Sequence, residues 1–377
     1  MAGAPASASI DASVDCFSGG STGAPKGILL SDKNFNALAL QCAVAIDFDF
    51  FRDLRFLAAM PVFHGFGLGV GIHTALIGGA TCILIPQFSV KVYADTLLKQ
   101  KPELIPGVPT LFEALLRAEQ LENADLSFLK GIFSGGDSLS PELKKKVDTF
   151  LHDHGCTEQI REGYGTTECV TASCLTPKAY AREGSIGVPY PDTFYKIVQV
   201  GTTDEVKALT EGEICISGPT VMLGDMDNPE ETAQTLQQHA DGKLWLHTGD
   251  LGTVDEEGFV RVTGRMTRMI LISANAKIYP AAIEAEIASV PGVQEVVFCA
   301  VPKDDGFYTP VCYIVPESME DAEKVKAAVE QFCAAKFPEA SRPKRVFIKE
   351  QLPLNKGNKP DILALEKEAA EAMEKEA

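Results

Sequence analysis

The sequence predicts an α/β chain: a mostly parallel, covered sheet, then a small β-rich subdomain, then a small α+β C-terminal domain. Three observations carry that expectation. Over residues 14–178 short β-rich runs alternate with helical stretches, the pattern of a parallel sheet with helices on its faces. Over residues 179–265 the helical stretches give way to short strands joined by polar turns. From Met269 to the end, strands and helices return in a compact α+β pattern. At 377 residues the chain has room for two or three domains with cores of their own.

The elements can be justified in order. Ala80–Ile85 is a β-rich run, and Val92–Lys99 has the apolar spacing of an amphipathic helix. Gly131–Phe133 is a short apolar strand, and Pro141–His152 a helix. In the second region Thr193–Val200, Gly212–Ser217 and Phe259–Val262 read as strands. In the third, a strand at Ile270–Ser273 precedes a helix from Pro280 to Ser289. Proline suits that first turn, where its missing N–H would have no partner anyway. Strands at Val296–Ala300 and Val311–Val315, a helix at Glu320–Lys336 and a strand at Arg345–Ile348 follow. The Ala/Glu-rich run from Leu365 reads as a solvated terminal helix.

Composition removes several classes of function. A net charge of −18 argues against a nucleic-acid surface, which needs clustered Lys and Arg. The ten cysteines include no C-x-x-C pair and no companion histidines at ligand spacing, so neither a disulfide framework nor a zinc site is expected. They read as small apolar core residues of a protein in a reducing compartment. The most apolar stretch, His64 to Pro86, is interrupted by His73 and several glycines, so no transmembrane segment is expected. The N-terminus lacks a basic n-region and an apolar h-region. A cytoplasmic location is the expectation.

The richest local signal is Phe17-Ser18-Gly19-Gly20-Ser21-Thr22-Gly23-Ala24-Pro25-Lys26-Gly27. Glycines let backbone N–H groups close on a ligand, hydroxyls add donors and Lys26 adds positive charge, which together suit a polyphosphate. A plain surface loop is the alternative. A Walker loop is not, because no Gly-Lys-Ser/Thr follows. Further motifs come in order: Ser134-Gly135-Gly136-Asp137, Tyr164-Gly165-Thr166-Thr167-Glu168, His247-Thr248-Gly249-Asp250-Leu251, Gly264-Arg265 and Leu352-Pro353-Leu354-Asn355-Lys356-Gly357-Asn358-Lys359.

From about Val14 to Leu365 this series resembles the adenylate-forming enzymes: acyl-CoA synthetases, aryl-CoA ligases, luciferases and the adenylation domains of peptide synthetases. The resemblance implies that a carboxylic acid is activated by ATP to an acyl-adenylate, with release of pyrophosphate, and then captured by a thiol. Coenzyme A is the implied acceptor. A carrier-protein thiol is the second reading, and a nucleotide-binding, non-catalytic fragment the third, because relatives carry a subdomain before the phosphate loop where only sixteen residues stand here.

The resemblance also implies residue roles. Ser18, Gly19, Gly20, Ser21, Thr22, Gly23 and Lys26 would hold phosphates. Gly135, Gly136 and Asp137 would line the adenine and acyl pockets, although a tight turn is the other reading of that string. Tyr164 would stack on adenine beside Gly165 and Thr166. Thr167 would bond the α-phosphate, and Glu168 would hold Mg²⁺, a hard cation that prefers oxygen ligands. Asp250 would accept the ribose hydroxyls and Arg265 would reach phosphate or ribose. His64 stands where amino-acid-activating relatives carry an aspartate, so a plain carboxylic acid is implied, bounded by His64, Gly136 and Gly165; a core histidine is the alternative. Lys359 would be the catalytic lysine on a mobile C-terminal domain, with Lys356 its rival. In domain terms, the core is residues 1–265, residues 266–268 form a hinge centred on Thr267, and residues 269–377 form the C-terminal domain. Ala274 and Asn275 replace glycines that border the thiol tunnel in relatives, which makes the thiol step less certain than adenylation.

Overall fold

The computed structural model describes residues 14–18, 26–46, 51–266, 270–273, 276–278, 280–303, 305–354 and 360–374. The chain divides into two compact units, one of Met1–Thr248 and Gly252–Val262, the other of Gly249–Leu251 and Thr263–Ala377.

The first unit is built on a seven-stranded sheet. Its order is Thr81–Leu84, Arg55–Ala58, Leu104–Gly107, Gly131–Ser134, Ile160–Tyr164, Cys174–Leu175 and Val188–Pro189. The first five strands run parallel and the last two antiparallel, which is the mostly parallel sheet the sequence predicts. Consecutive residues of a strand face opposite sides, and here both sides are core. Leu57, Ile105, Ile132 and Ile160 pack with Leu97, Phe112 and Leu151 from the helices Val90–Gln100, Pro109–Leu115 and Pro141–Asp153. Their neighbours Phe56, Leu104 and Phe133 pack on the other side with Phe35, Leu38 and Cys42 of the helix Asp32–Ala45. Burial of each such side chain contributes about 1.5–3 kcal/mol, which is why these strands read as unbroken apolar runs.

Serines begin three of these helices. Ser31, Ser89 and Ser140 each accept a hydrogen bond from the backbone N–H three residues on, pairing a donor the helix would leave free. The β-rich part is a five-stranded sheet in the order Phe194–Val198, Gly212–Ser217, Leu244–Val254 and Leu236–Gln238, with Val260–Arg265 also paired to Leu244–Val254.

The second unit has the antiparallel strands Val293–Pro302 and Tyr308–Pro316, with Val346–Ile348 parallel to the latter. One face of this sheet, with Phe298, Cys312 and Ile314, packs on Ile287, Val325 and Val329. The other, with Val297, Cys299, Val311 and Tyr313, packs on Leu365 and Ala369. Leu365 and Ala369 belong to the terminal helix Ile362–Glu374 and are fully buried. The expectation of a solvated helix is therefore corrected: its charged residues describe one face, and a narrow apolar stripe forms the other. All ten cysteines are free, nine of them buried. No helix among the described residues is long and apolar enough to cross a membrane.

Candidate functional site

The glycine-rich stretch is flanked by two strands that pair with each other. Val14–Ser18 pairs antiparallel with Lys26–Leu30, so the ladder sets Ser18 opposite Lys26. Gly19, Gly20, Ser21, Thr22 and Gly23 lie outside the described residues. The Lys26 ammonium is ion-paired with Glu231, a residue in the first turn of the helix Pro229–Thr235 that the sequence analysis did not single out. An anionic ligand at this loop has to compete with that carboxylate.

Two other motifs meet at the C-terminal ends of adjacent parallel strands, where open α/β sheets bind ligands. Gly131–Ser134 and Ile160–Tyr164 pair with Ser134 opposite Glu162. The first strand turns through Gly135 and Gly136, whose φ of +79° favours glycine. Asp137 is exposed and its Oδ1 accepts from the Ser138 N–H. The second strand turns through Gly165 and Thr166 into the short helix Thr167–Cys169. The Glu168 carbonyl accepts from the Met222 N–H at 2.8 Å, and the Thr166 carbonyl from the Thr171 N–H at 2.8 Å. Val170 and Thr171 then have φ of +55° and +65°. Two β-branched residues in succession in that region store strain, and such strain concentrates at ligand sites.

Beneath these turns lies an apolar pocket. Phe51, Phe56, Phe66, Phe133, Leu175 and Tyr190 form its body, and Ser134, Gly135, Gly163 and Thr171 its polar rim. The space open to water centres is about 40 Å³, room for about three waters. The buried Ser134 Oγ has no hydrogen-bond partner among the described residues, which leaves it free to meet a ligand at the rim. His64, Gly136 and Gly165 do not line this pocket. His64 is exposed, and its Nδ1 accepts from the Phe66 N–H at 3.2 Å, so the core-histidine alternative is excluded. Sequence reasoning missed the aromatic body because its residues come from separate elements.

Glu162, one strand residue before the Gly163 of that rim, is perturbed. Burial pushes its carboxyl up from 4.5 to about 7, against smaller opposing effects of the Leu139 N–H and Lys144. Below pH 4.5 folded and unfolded chains both hold this proton. Between 4.5 and 7 the unfolded chain releases it while the folded chain keeps it, so stability falls as pH rises through that window. Glu162→Gln keeps an acceptor for the Leu139 N–H and removes the charge. It should raise the melting temperature at pH 8, by the equivalent of at most about 3 kcal/mol, with the gain vanishing near pH 4.5. Melting curves of both proteins across pH 4–8 check this; an equal gain at every pH would assign it to packing.

In the second unit Arg265 Nε lies 3.2 Å from Asp250 Oδ1, with the carboxylate almost fully buried and the arginine half exposed. The pairing fixes the carboxylate and leaves the guanidinium accessible. Lys356, Lys359, Thr267, Ala274 and Asn275 lie outside the described residues.

The chain matches the sequence patterns of two known domains: AMP-binding enzyme over residues 4–224, and AMP-binding enzyme C-terminal domain over residues 282–359. It is 33% identical over 350 residues to a long-chain-fatty-acid–CoA ligase of Bacillus subtilis, covering 91% of this chain and 59% of that protein. A feruloyl-CoA synthase of Amycolatopsis is 35% identical over 291 residues, covering 76% and 56%. The fold matches that of the o-succinylbenzoate coenzyme A synthetase of Bacillus subtilis in complex with ATP and magnesium, with a TM-score of 0.80 and 26% identity over 94% of this chain and 70% of that one. The chain thus spans a little under three fifths of the length of these curated relatives.

Proposed function

The chain belongs to the AMP-binding enzymes, and from that premise we propose that it activates a carboxylic acid with ATP and passes the acyl group to the thiol of coenzyme A. The observation that carries the reading is the pair of strand-end turns, Ser134–Asp137 and Tyr164–Glu168, set over one apolar pocket with a partnerless hydroxyl at its rim. A carboxylate is inert to thiols because oxide is a poor leaving group. Attack of the carboxylate oxygen on the α-phosphorus of ATP forms an acyl–O–P bond and expels pyrophosphate. A thiolate then adds to the acyl carbon, and AMP leaves.

The protein's work in the first step is positioning and charge neutralisation. The glycine-rich segment offers N–H groups and hydroxyls to the phosphates, Tyr164 an aromatic face to adenine, and Thr167 a donor to the α-phosphate. Glu168 offers a carboxylate to Mg²⁺, whose bound charge would offset that of the phosphates. Asp250 accepts from the ribose hydroxyls, with Arg265 steadying it. The apolar pocket takes the acid's carbon skeleton, and His64 cannot supply the ion pair an amino acid's ammonium would need. The free cysteines suit a reducing compartment such as the cytosol.

Pyrophosphate release with a panel of fatty and aromatic acids tests the first step, and addition of CoA or a carrier protein identifies the acceptor. Failure of every acid in the panel to elicit pyrophosphate release would leave a nucleotide-binding, non-catalytic protein. Asp250→Ala should weaken ATP about tenfold to a hundredfold, the value of hydrogen bonds to a charged group. Titration calorimetry showing unchanged affinity would remove Asp250 from the site.

A further inference from the structure

One face of the β-rich sheet carries a buried polar cluster that the nucleotide-handling residues leave unused. Side chains alternate along a strand, so Glu213 and Cys215 of Gly212–Ser217 share a face, as do Trp245 and His247 of Leu244–Val254. His239 follows the short strand Leu236–Gln238, which pairs with Leu244–Leu246. Cys215 is fully buried, and Glu213 and His239 are each 5% exposed. His239 Nε2 lies 2.9 Å from His247 Nε2, and His247 Nδ1 lies 2.9 Å from Glu213 Oε2. The two imidazoles and the Cys215 Sγ offer three ligand atoms within 4.8 Å of one another.

We propose that Cys215, His239 and His247 bind one thiophilic divalent cation, zinc, with Glu213 orienting His247 from behind. Glu213 accepts the Nδ1–H of His247, which leaves the Nε2 lone pair aimed into the cluster; a carboxylate behind a histidine is the usual support of a metal ligand. Two imidazole nitrogens in contact can share only one proton, so one ring must donate to the other. His239 Nδ1 is a buried nitrogen with no partner among the described residues, with or without the ion. Binding releases the Cys215 proton, which burial otherwise holds in place by pushing the thiol up, and shifts the His239 proton to Nδ1.

Charge and geometry agree with this assignment. Thiolate and Glu213 together balance a doubly charged ion. Lys196, the nearby cation, is paired with Asp241 at 3.2 Å and lies over the Trp245 ring. Tetrahedral zinc, with bonds of about 2.0–2.1 Å to nitrogen and about 2.3 Å to sulfur, needs N···N near 3.3 Å and N···S near 3.6 Å. Side-chain shifts of about 1 Å reach those values from the present separations. Sulfur and imidazole select zinc over magnesium, so this ion is distinct from any that accompanies ATP. Three protein ligands leave the fourth position open, and the ion would link Gly212–Ser217, Leu244–Val254 and the residue that follows Leu236–Gln238. The spacing along the chain is too irregular to be legible as a motif.

Protein stripped with a chelator and titrated with Co²⁺ tests the site directly. One equivalent should bind with a thiolate-to-cobalt absorption band and the visible bands of a tetrahedral ion, and Zn²⁺ should displace it. Cys215→Ser should lose the thiolate band, and Glu213→Gln should weaken binding about 10- to 100-fold. Should Cys215→Ser fold poorly, the Zn²⁺-induced rise in melting temperature of the unaltered chain, absent in His239→Gln, supports the site. No uptake of Co²⁺ or Zn²⁺ at micromolar concentration, or a thiolate band that persists in Cys215→Ser, overturns the proposal and leaves a hydrogen-bonded histidine pair.

Discussion

Lys359→Ala is expected to abolish acid-dependent pyrophosphate exchange, while acyl-adenylate supplied ready-made is still consumed with thiol. The expectation rests on the resemblance of Leu352-Pro353 and Asp361-x-x-x-Leu365 to the family's C-terminal motif, which implies Lys359 as the catalytic lysine. The second unit holds the ends of that segment firmly. Leu352 is buried, Leu354 bridges to Pro360, and the Asp361 N–H donates to the Pro353 carbonyl at 2.8 Å. Both described flanks of residues 355–359 are thus held in place. Loss of a single positive charge that acts on the transition state in a closed site costs about 2–4 kcal/mol, a hundredfold or more in rate. Lys356→Ala should keep most of its activity. If the two variants exchange behaviours, Lys356 is the catalytic residue and the register shifts by three.

The sequence made the fold legible wherever one residue pattern maps onto one element. Gly212–Ser217 and Ile270–Ser273 occupy the positions their β-rich composition predicts, and the helix expected over Pro141–His152 spans Pro141–Asp153. The terminal helix was legible as a helix but not as a packed one, since Leu365 and Ala369 are outnumbered by glutamates around them. Motifs read along the chain gave the two strand-end turns. What they could not give were contacts between distant residues: the Glu231 partner of Lys26, the aromatic body of the pocket, and the meeting of Cys215 with His239 and His247. The absence of ligand spacing argued against a metal, yet sheet pairing brings together residues that spacing keeps apart. Glu162 likewise sits two residues before a motif but shows its perturbed carboxyl only when its surroundings are known.

Gly165→Ala should cost ATP affinity out of proportion to stability. A Cβ at Gly165 would stand 2.5 Å from the Thr171 carbonyl carbon and 2.6 Å from the Ala172 nitrogen. These are backbone atoms, so no rotamer change can make room and the turn itself must open. Overpacking of this kind costs about 1–3 kcal/mol, occasionally more. The strain in Val170 and Thr171, about 1–3 kcal/mol each, persists only while the surroundings hold both residues in place. An opened turn lets them relax and moves Thr166, Thr167 and Glu168, which form the adjoining arm and include the Thr166 carbonyl bonded to the Thr171 N–H. Gly212→Ala is the matched control, because its Cβ would meet the Val198 carbonyl oxygen at 2.2 Å in the β-rich sheet. Both variants should melt several degrees early. At a temperature well below both transitions, Gly212→Ala should bind ATP normally and Gly165→Ala at least about tenfold more weakly, the loss of one or two hydrogen bonds to a charged ligand. Equal ATP affinity in the two would place the nucleotide away from the Tyr164–Glu168 turn, because no rearrangement of that turn could then leave binding untouched while the ligand rested on it.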